Sequence, residues 1–272
     1  MSVKRVLIFD SGVGGLSVFE EVIKLNPSIQ CQYLFDNAYF PYGELKQAQL
    51  VMRLTQLLTD FLQQYPADLI VIACNSASTV ALKALRQHFT IPIVGVVPAI
   101  KPASLVTRNN VIGLLATPAT IARDYTYELI SQFAAEKSVL SIGSTQLVKL
   151  AEDKLMGKAL NQEEFVKILS PWLSQNANMP DTLVLGCTHF PLLKTEIQAC
   201  FNYEINLVDS GEAIALRVKQ LLGEEQKLDL QNQQTHSHQA FYTKLFNDNQ
   251  HLAALTQSFS DYGFNTLQHC NL

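Results

Sequence analysis

Short apolar segments alternate with amphipathic segments along most of this chain. The first apolar segments are rich in branched side chains and end at turn residues, as strands buried on both faces do. They cover residues 6–10, 31–36, 69–74 and 91–97. Between them, apolar residues recur every three or four positions and predict helices near 18–23, over 46–64 and over 78–88. Strands that alternate with helices predict βαβ units and a parallel sheet.

The same pattern starts afresh after Pro98 and Pro102. Its predicted strands are 111–116, 139–142, 182–187 and 205–209, and its predicted helices are 121–134, 145–156, 162–174, a segment ending near 201, and 211–222. Two short strand-and-loop motifs of the first part return in the second, which suggests two similar α/β halves. Residues 226–239 are typical of a linker with solvated histidines, and the tail predicts a helix over 241–259 and a final short strand.

Composition narrows the class of protein. The chain has 272 residues, is 48% hydrophobic and carries a net charge of −4, so it can bury a large core and offers no electrostatic reason to bind nucleic acid. The apolar start is too short for a signal peptide and no apolar run is long enough to span a membrane, so we expect a cytoplasmic protein without a membrane partner. The five cysteines are scattered, which argues against a disulfide framework.

Two of those cysteines, Cys74 and Cys187, directly follow apolar strands and precede hydroxyl or amide side chains. The carboxyl ends of parallel strands are where ligands bind, and a helix N-terminus lowers the pKa of a nearby thiol. After Cys74 we expect a helix that begins near residue 79 and is capped by Ser76 or Ser78. The other three cysteines, Cys31, Cys200 and Cys270, are interpreted as small buried apolar residues.

Asp10 ends the first strand and opens a glycine-rich turn, Ser11-Gly12-Val13-Gly14-Gly15. Glycines let backbone N–H groups cradle an anion, but the turn lacks both the Gly-Lys-Ser/Thr of a P-loop and the spacing of a dinucleotide site. Two interpretations stay open: an anion-binding turn beside a carboxylate, and a tight strand-to-helix turn without a ligand.

Several chemistries could use the thiols. Cys187 and His189 could bind a metal, but no compact Cys/His cluster completes a four-ligand set, so we expect no metal. A nucleophilic Cys187–His189 pair, as in a hydrolase or transferase, stays open but leaves Cys74 unexplained. Proton transfer at a carbon stereocentre from two opposite faces uses both thiols, because thiol pKa values lie near the working pH. Asp10 could then assist Cys74, and His189 could assist Cys187.

The sequence resembles the cofactor-independent glutamate racemases of bacterial cell-wall synthesis. The resemblance covers about residues 3–222 and is carried by four motifs in order. They are Asp10-Ser11-Gly12-Val13-Gly14-Gly15-Leu16, Pro41-Tyr42-Gly43, Ala73-Cys74-Asn75-Ser76-Ala77-Ser78 and Leu185-Gly186-Cys187-Thr188-His189-Phe190-Pro191. Related aspartate racemases usually have a Glu at the position of His189, so glutamate is the favoured substrate.

The resemblance implies two similar parallel-sheet α/β domains that face each other across a central active-site cleft. The first domain would be residues 1–97 plus 210–272, and the second would be the inserted residues 98–209. No cofactor is implied. The enzyme would supply D-glutamate for peptidoglycan, on which cell shape depends.

The family's site residues carry over position by position. The resemblance implies that Cys74 deprotonates D-glutamate with help from Asp10, and that Cys187 deprotonates L-glutamate with help from His189 and Glu152. Many members have Ala-Cys-Pro-Leu just before the segment of Glu152, where this chain has Gly143-Ser144-Thr145-Gln146. The implied substrate-binding residues are Asp10, Ser11, Tyr42, Gly43, Asn75, Ser76, Thr117, Thr120, Thr188 and His189.

Partners and rival functions complete the expectations. The chain looks most like the proteobacterial racemases, some of which are activated by a UDP-linked muramyl-alanine precursor; such activation and a homodimer are left open here. A ligand-binding protein with two α/β lobes is a non-enzymatic alternative. A pyridoxal phosphate racemase would instead need a lysine that forms a Schiff base.

Overall fold

The structure is a computed structural model that describes residues 3–173, 179–223 and 237–272. These residues divide into two compact units, one comprising Met1–Val96 with Gly211–Leu272 and the other Val97–Ser210. The strands are β1 Arg5–Asp10, β2 Gln30–Phe35, β3 Leu69–Ile72, β4 Ile93–Gly95, β5 Val111–Ala116, β6 Ser138–Gly143, β7 Thr182–Leu185, β8 Asn206–Val208, β9 His238–Tyr242 and β10 Phe264–His269. The helices are α1 Leu16–Leu25, α2 Gln47–Gln64, α3 Asn75–His88, α4 Ile100–Val106, α5 Pro118–Ile121, α6 Asp124–Phe133, α7 Gln146–Leu155, α8 Gln162–Leu169, α9 Lys194–Gln198, α10 Gly211–Leu222 and α11 Asn249–Asp261.

The first unit, Met1–Val96 with Gly211–Leu272, contains a parallel sheet in the order β10-β9-β2-β1-β3-β4. Its central strands are buried on both faces, as their continuous apolar sequences predict. Leucines on one stripe of α2 pack with Phe61 against this sheet. The prediction of a parallel α/β sheet is confirmed here.

The second unit, Val97–Ser210, contains a parallel sheet in the order β6-β5-β7-β8. Numbered within each unit, both sheets contain the order second-first-third-fourth: β2-β1-β3-β4 in one and β6-β5-β7-β8 in the other. In this order the connections after the first and third strands run to opposite sides of the sheet, so a crevice opens between their carboxyl ends.

The tail differs from the expected linker and single helix. Residues 238–242 form β9, because Ala240, Phe241 and Tyr242 are buried between β2 and β10. His238 is not a solvated linker residue: its ring packs on Phe19, and its Nδ1 accepts a hydrogen bond from a backbone N–H of β2. His236, the other histidine predicted to be solvated, lies outside the described residues. The predicted helix is shorter, Asn249–Asp261, and the final strand is confirmed as β10.

Two helices of the second unit also differ from their predicted bounds. The segment 121–134 contains two helices, because Thr117 caps a short helix that begins at Pro118, and a second helix starts at Asp124. The helix predicted over 162–174 ends at Leu169, where a 3₁₀ helix containing Pro171 begins. The described helices include none that is both long enough and apolar enough to cross a bilayer.

Candidate active site

Cys74 lies at the carboxyl end of β3, in the first crevice. It is the residue immediately before α3, and 6% of it is exposed. The helix therefore starts at Asn75, four residues earlier than predicted. Neither predicted serine caps it, since the Ser78 hydroxyl instead donates to the Ile72 carbonyl and accepts from the Val96 N–H, which ties β3 to β4.

Asp10 and Ser11 end the neighbouring strand β1 and reach the same thiol. The Asp10 carboxylate is buried and accepts hydrogen bonds from the Gly12 N–H at 3.0 Å and the Ser11 hydroxyl at 3.3 Å. Ser11 Oγ is also 3.7 Å from Cys74 Sγ. The structure thus adds a hydroxyl bridge between the carboxylate and the thiol. At Gly15, a Cβ would lie 2.8 Å from the Tyr33 hydroxyl and 3.0 Å from the Asp10 Cβ, so a larger side chain there would displace its neighbours.

Asn75 and Ser76 form the first turn of α3, next to Cys74, and both are buried. Among the described residues, Asn75 Oδ1 has no hydrogen-bond partner although it is shielded from solvent. A buried acceptor without a partner is costly, so this oxygen is suited to accept from a bound donor such as an ammonium group.

Tyr42 belongs to a buried polar cluster that the sequence analysis missed. Its hydroxyl donates to Asp36 at 2.7 Å, while Arg53 donates to both oxygens of the same carboxylate at 2.9 Å and Thr243 adds a third donor. Asp36 is completely buried. Burial, the negative charge of Asp36 and the hydrogen bond to Asp36 raise the pKa of Tyr42, which keeps its proton on the phenol.

This cluster joins four segments of the first unit. Asp36 follows β2, Tyr42 begins the 3₁₀ helix Tyr42–Glu44, which also contains Gly43, Arg53 lies on α2, and Thr243 follows β9. One sequence signal could have found it: Asp36 ends an apolar strand just as Asp10 does. Its partner Thr243 is 207 positions away, and the pairing depends on β9 lying beside β2.

Cys187 occupies the equivalent position in the second unit, after β7. It is 7% exposed, and its Sγ is 3.8 Å from His189 Nδ1. His189 Nε2 is 2.7 Å from Glu152 Oε1, and both side chains are largely shielded from solvent. Glu152 comes from α7, so a thiol, an imidazole and a carboxylate form a chain of contacts. Near the start of α7, the Ser144 hydroxyl accepts from the Leu147 N–H, so the segment that departs from the family pattern still stabilises this helix.

The imidazole of His189 favours its protonated form. Burial by itself lowers its pKa, but hydrogen bonds to Cys187 and Glu152 and the negative charges of these groups outweigh burial and raise the pKa of His189 well above its usual 6.5. The positive charge of this imidazole lies beside Cys187, whose Sγ is 3.8 Å from Nδ1.

Three threonines complete the polar edge of the second unit. Thr117 follows β5, and its hydroxyl accepts from the Thr120 N–H at 3.2 Å and lies 3.0 Å from the Thr120 hydroxyl. Thr188 follows Cys187, and all three side chains are buried. Because β5 pairs with β7, Thr117 and Cys187 lie at the same edge of the sheet.

The candidate residues therefore form one group in each unit. Asp10, Ser11, Tyr42, Gly43, Cys74, Asn75 and Ser76 belong to the first, and Thr117, Thr120, Glu152, Cys187, Thr188 and His189 belong to the second. Their catalytic and binding roles stay predictions. Residues 3–173, 179–223 and 237–272 contain no group of three or more His, Cys, Asp or Glu side chains placed to hold a metal ion.

The remaining cysteines have different surroundings. Cys31 and Cys270 are buried, and burial raises the pKa of both thiols, that of Cys270 to about 11. Cys200 is only partly buried, and partial burial also raises its pKa. These thiols are poor sources of a thiolate near neutral pH.

Comparison with known proteins identifies the family. The profile of the Asp/Glu/Hydantoin racemase family matches residues 18–218. The chain belongs to this family. The glutamate racemase of Vibrio cholerae is 56% identical over 225 residues, which cover 83% of this chain and 83% of that protein. The glutamate racemase of Pectobacterium atrosepticum is 48% identical over 263 residues, which cover 97% of this chain and 90% of that protein.

A solved structure extends the similarity to the fold. The crystal structure of Escherichia coli glutamate racemase, in complex with L-glutamate and the activator UDP-MurNAc-Ala, has a TM-score of 0.90 and 45% identity, and covers 98% of each chain. As a member of the Asp/Glu/Hydantoin racemase family, this chain is an enzyme, an isomerase that acts as a racemase.

The raised pKa of His189 predicts a pH-dependent contribution to stability. Between the ordinary pKa of 6.5 and the raised pKa, the folded racemase holds a proton on His189 that the unfolded chain releases. The stabilisation that His189 contributes is therefore complete below pH 6.5 and is lost as the pH rises through the folded-state pKa. The free energy of unfolding, from urea titrations of the wild type and His189→Asn, should differ most in mildly acid solution and converge in alkali. A difference that does not change with pH would contradict the assignment.

The cluster around Asp36 predicts a large loss of stability on removal of its cation. Arg53→Met leaves a fully buried carboxylate without its ion-pair partner and should lower the free energy of unfolding by about 3 kcal/mol. The control is Lys4→Met, which breaks the partly exposed Lys4–Asp68 pair of the same unit and should cost about 1 kcal/mol or less. Equal, small losses in the two variants would show that the buried pair does not organise this region.

Proposed function

We propose that the chain is a glutamate racemase that interconverts L- and D-glutamate by moving the Cα proton with two thiols, Cys74 and Cys187. The observation that carries the proposal is that each thiol ends the third strand of its own sheet and has its own polar partner. Ser11 joins Cys74 to Asp10. His189 joins Cys187 to Glu152.

From L-glutamate, the Cys187 thiolate removes the Cα proton and becomes a thiol, and the electron pair of the C–H bond stays on carbon as a carbanion. The Cys74 thiol then donates its proton to the opposite face of that carbon and becomes a thiolate. D-Glutamate follows the same steps in reverse. One C–H bond breaks and another forms, and no electrons are gained or lost.

The surroundings of the thiols suit them to this exchange. A proton acceptor works best when its pKa is close to the operating pH, and an ordinary thiol meets that condition better than a carboxylate or a lysine. The protonated His189 places a positive charge beside Cys187, while Ser11 offers Cys74 a hydroxyl that Asp10 orients. The two thiols are assisted by different groups, which fits the proposal that each deprotonates a different enantiomer.

Substrate binding draws on donors at the same strand ends. Glutamate carries two carboxylates and an ammonium group. The first turn of α3 provides the backbone amides of a helix N-terminus and the side chains of Asn75 and Ser76, and the Asn75 Oδ1 can accept from the ammonium. The hydroxyls of Thr117, Thr120 and Thr188 in the second unit and the Tyr42–Gly43 turn in the first supply further donors to the carboxylates.

The names of the relatives support glutamate as the substrate and suggest a regulator. The similar Vibrio and Pectobacterium proteins are glutamate racemases, and the E. coli enzyme was crystallised with L-glutamate and UDP-MurNAc-Ala, described as its activator. We therefore propose that D-glutamate made by this enzyme serves peptidoglycan synthesis and that the same class of precursor raises its turnover.

A cysteine hydrolase or transferase is the second candidate, and the 3.8 Å contact between Cys187 and His189 is the observation that favours it. Such an enzyme would accumulate a covalent intermediate on Cys187. A hydrolase or transferase of this kind gives no role to Cys74, Ser11 and Asp10, although these three residues form a second set of polar contacts.

Single replacement of either proposed thiol provides the test. Cys74→Ala and Cys187→Ala should keep the fold and lose racemisation in both directions, because alanine can neither accept nor donate the proton. Cys200→Ala, which removes a partly buried thiol elsewhere, is the matched control and should retain wild-type turnover. Circular dichroism of D- or L-glutamate incubated with the purified, cofactor-free protein under reducing conditions measures the rate. Wild-type turnover by either active-site variant would exclude the two-thiol assignment, and a covalent adduct on Cys187 in the mass spectrum would favour the second candidate.

A further inference from the structure

Lys154 lies two residues after Glu152 on α7 and contacts the segment that follows His189. Its Nζ donates to the Leu192 carbonyl at 2.8 Å and is 2.7 Å from Glu196 Oε1. Residues two apart on a helix do not share a side, so Glu152 and Lys154 attach α7 to this segment at separate points. A two-point attachment fixes the rotation of the helix as well as its distance.

The contact of Lys154 leads directly to the backbone of His189. The Leu192 carbonyl accepts from Lys154, and the N–H of the same residue donates to the His189 carbonyl at 3.2 Å. This turn is itself firmly held, since Phe190 and Leu193 are completely buried. Lys154 is thus connected through one residue to the peptide unit that carries the imidazole.

The position of Glu152 explains why such an attachment is needed. It lies in the last turn of α7, where the helix dipole disfavours a carboxylate and favours a cation, and terminal turns fray. Lys154 occupies the same last turn, with the favoured charge. The side chain of its partner Glu196 is 19% exposed and that of Lys154 is 35% exposed, and among the described residues one oxygen of Glu196 is buried without a hydrogen-bond partner. The pair is therefore better shielded from solvent than a surface pair.

We propose that Lys154 is a positioning residue: by attaching the last turn of α7 to Leu192 and Glu196, it holds Glu152 in its 2.7 Å contact with His189 and keeps the imidazole directed at Cys187. The positioning is a property of the second unit alone. Its effect on turnover rests on the proposed racemase function.

The direction in which the pKa of His189 changes when Lys154 is replaced distinguishes positioning of Glu152 from a direct effect of the Lys154 charge. Among the described residues, Glu152 from α7 and Cys187 from the end of β7 are titratable groups in contact with His189, whereas the contacts of Lys154 are with Leu192 and Glu196. Removing a nearby positive charge would by itself raise the pKa of His189. Loosening Glu152 would lower it, because the hydrogen bond and the charge that favour the imidazolium are weakened.

The experiment is an NMR titration of the histidine ring signals in the full-length protein, in which His189→Asn assigns the signal of interest among six histidines. In Lys154→Met we expect the pKa of His189 to fall by at least about half a unit, about a threefold loss of proton affinity. Lys154→Arg, which keeps the charge and the reach, should restore most of the wild-type value. Lys158→Met, which breaks the more exposed Lys158–Asp153 pair just beyond the same helix, should leave it unchanged.

An unchanged or raised pKa in Lys154→Met would overturn the proposal, and so would an equal fall in Lys158→Met. If Lys154→Met does not fold, Lys154→Gln gives the same decision, because glutamine keeps a donor for Leu192 but removes the ion pair with Glu196. It should then show a smaller fall in the pKa of His189, and no fall would contradict the proposal.

A kinetic arm tests the consequence for turnover. The two enantiomers have equal free energies, so kcat/KM must stay equal in the two directions. The isotope effects on kcat/KM need not be equal in the two directions. If Lys154→Met slows proton transfer at Cys187, the isotope effect with Cα-deuterated L-glutamate should rise and that with Cα-deuterated D-glutamate should fall. Equal changes in both would contradict a role confined to Cys187. Absence of racemisation by the wild type would refute the proposed function, while the titration would still decide the positioning.

Discussion

The candidate chemistry depends on one topological constraint, the strand order second-first-third-fourth in each parallel sheet. This order sends the connections after the first and third strands to opposite sides, which leaves the carboxyl ends of these two strands accessible. In the first unit those ends carry Asp10 and Cys74, and in the second they carry Thr117 and Cys187. The backbone thus creates two equivalent sites for polar groups, and the sequence fills each with a thiol and a different set of partners.

Burial imposes a second requirement on these sites. A charged group shielded from water must be paired or hydrogen-bonded, and each unit meets this in its own way. Asp36 is held by Arg53, Tyr42 and Thr243, so the C-terminal segment stabilises the turn that carries Tyr42. In the second unit, Glu152 and His189 satisfy each other. In each unit, a buried charge near a candidate thiol is therefore paired with neighbours that also contribute to the stability of the fold.

Local patterns could predict most strands, most helices and the positions of both thiols, because continuous apolar runs ending in small polar residues are short-range signals. The predicted start of α3 was wrong because the Ser78 hydroxyl makes hydrogen bonds with the backbone of Ile72 and Val96 rather than capping the helix. Strand β9 was missed because its burial depends on β2 and β10, both distant in sequence. Arg53 could not be assigned for the same reason: its role becomes visible only when α2 lies over the end of β2. Pairings between distant segments are what single-sequence patterns do not contain.

The central claim is that two thiols, each holding its own proton, act on opposite faces of Cα. Racemisation in D₂O, followed at low conversion by NMR or mass spectrometry of the separated enantiomers, tests it most directly. Starting from L-glutamate, the D-glutamate formed should carry deuterium at Cα, because Cys74 delivers a solvent-derived deuteron, while the remaining L-glutamate keeps its protium. Starting from D-glutamate, the pattern should be mirrored. Substantial transfer of the original protium into the product in both directions would mean that a single base serves both faces, and would contradict the account.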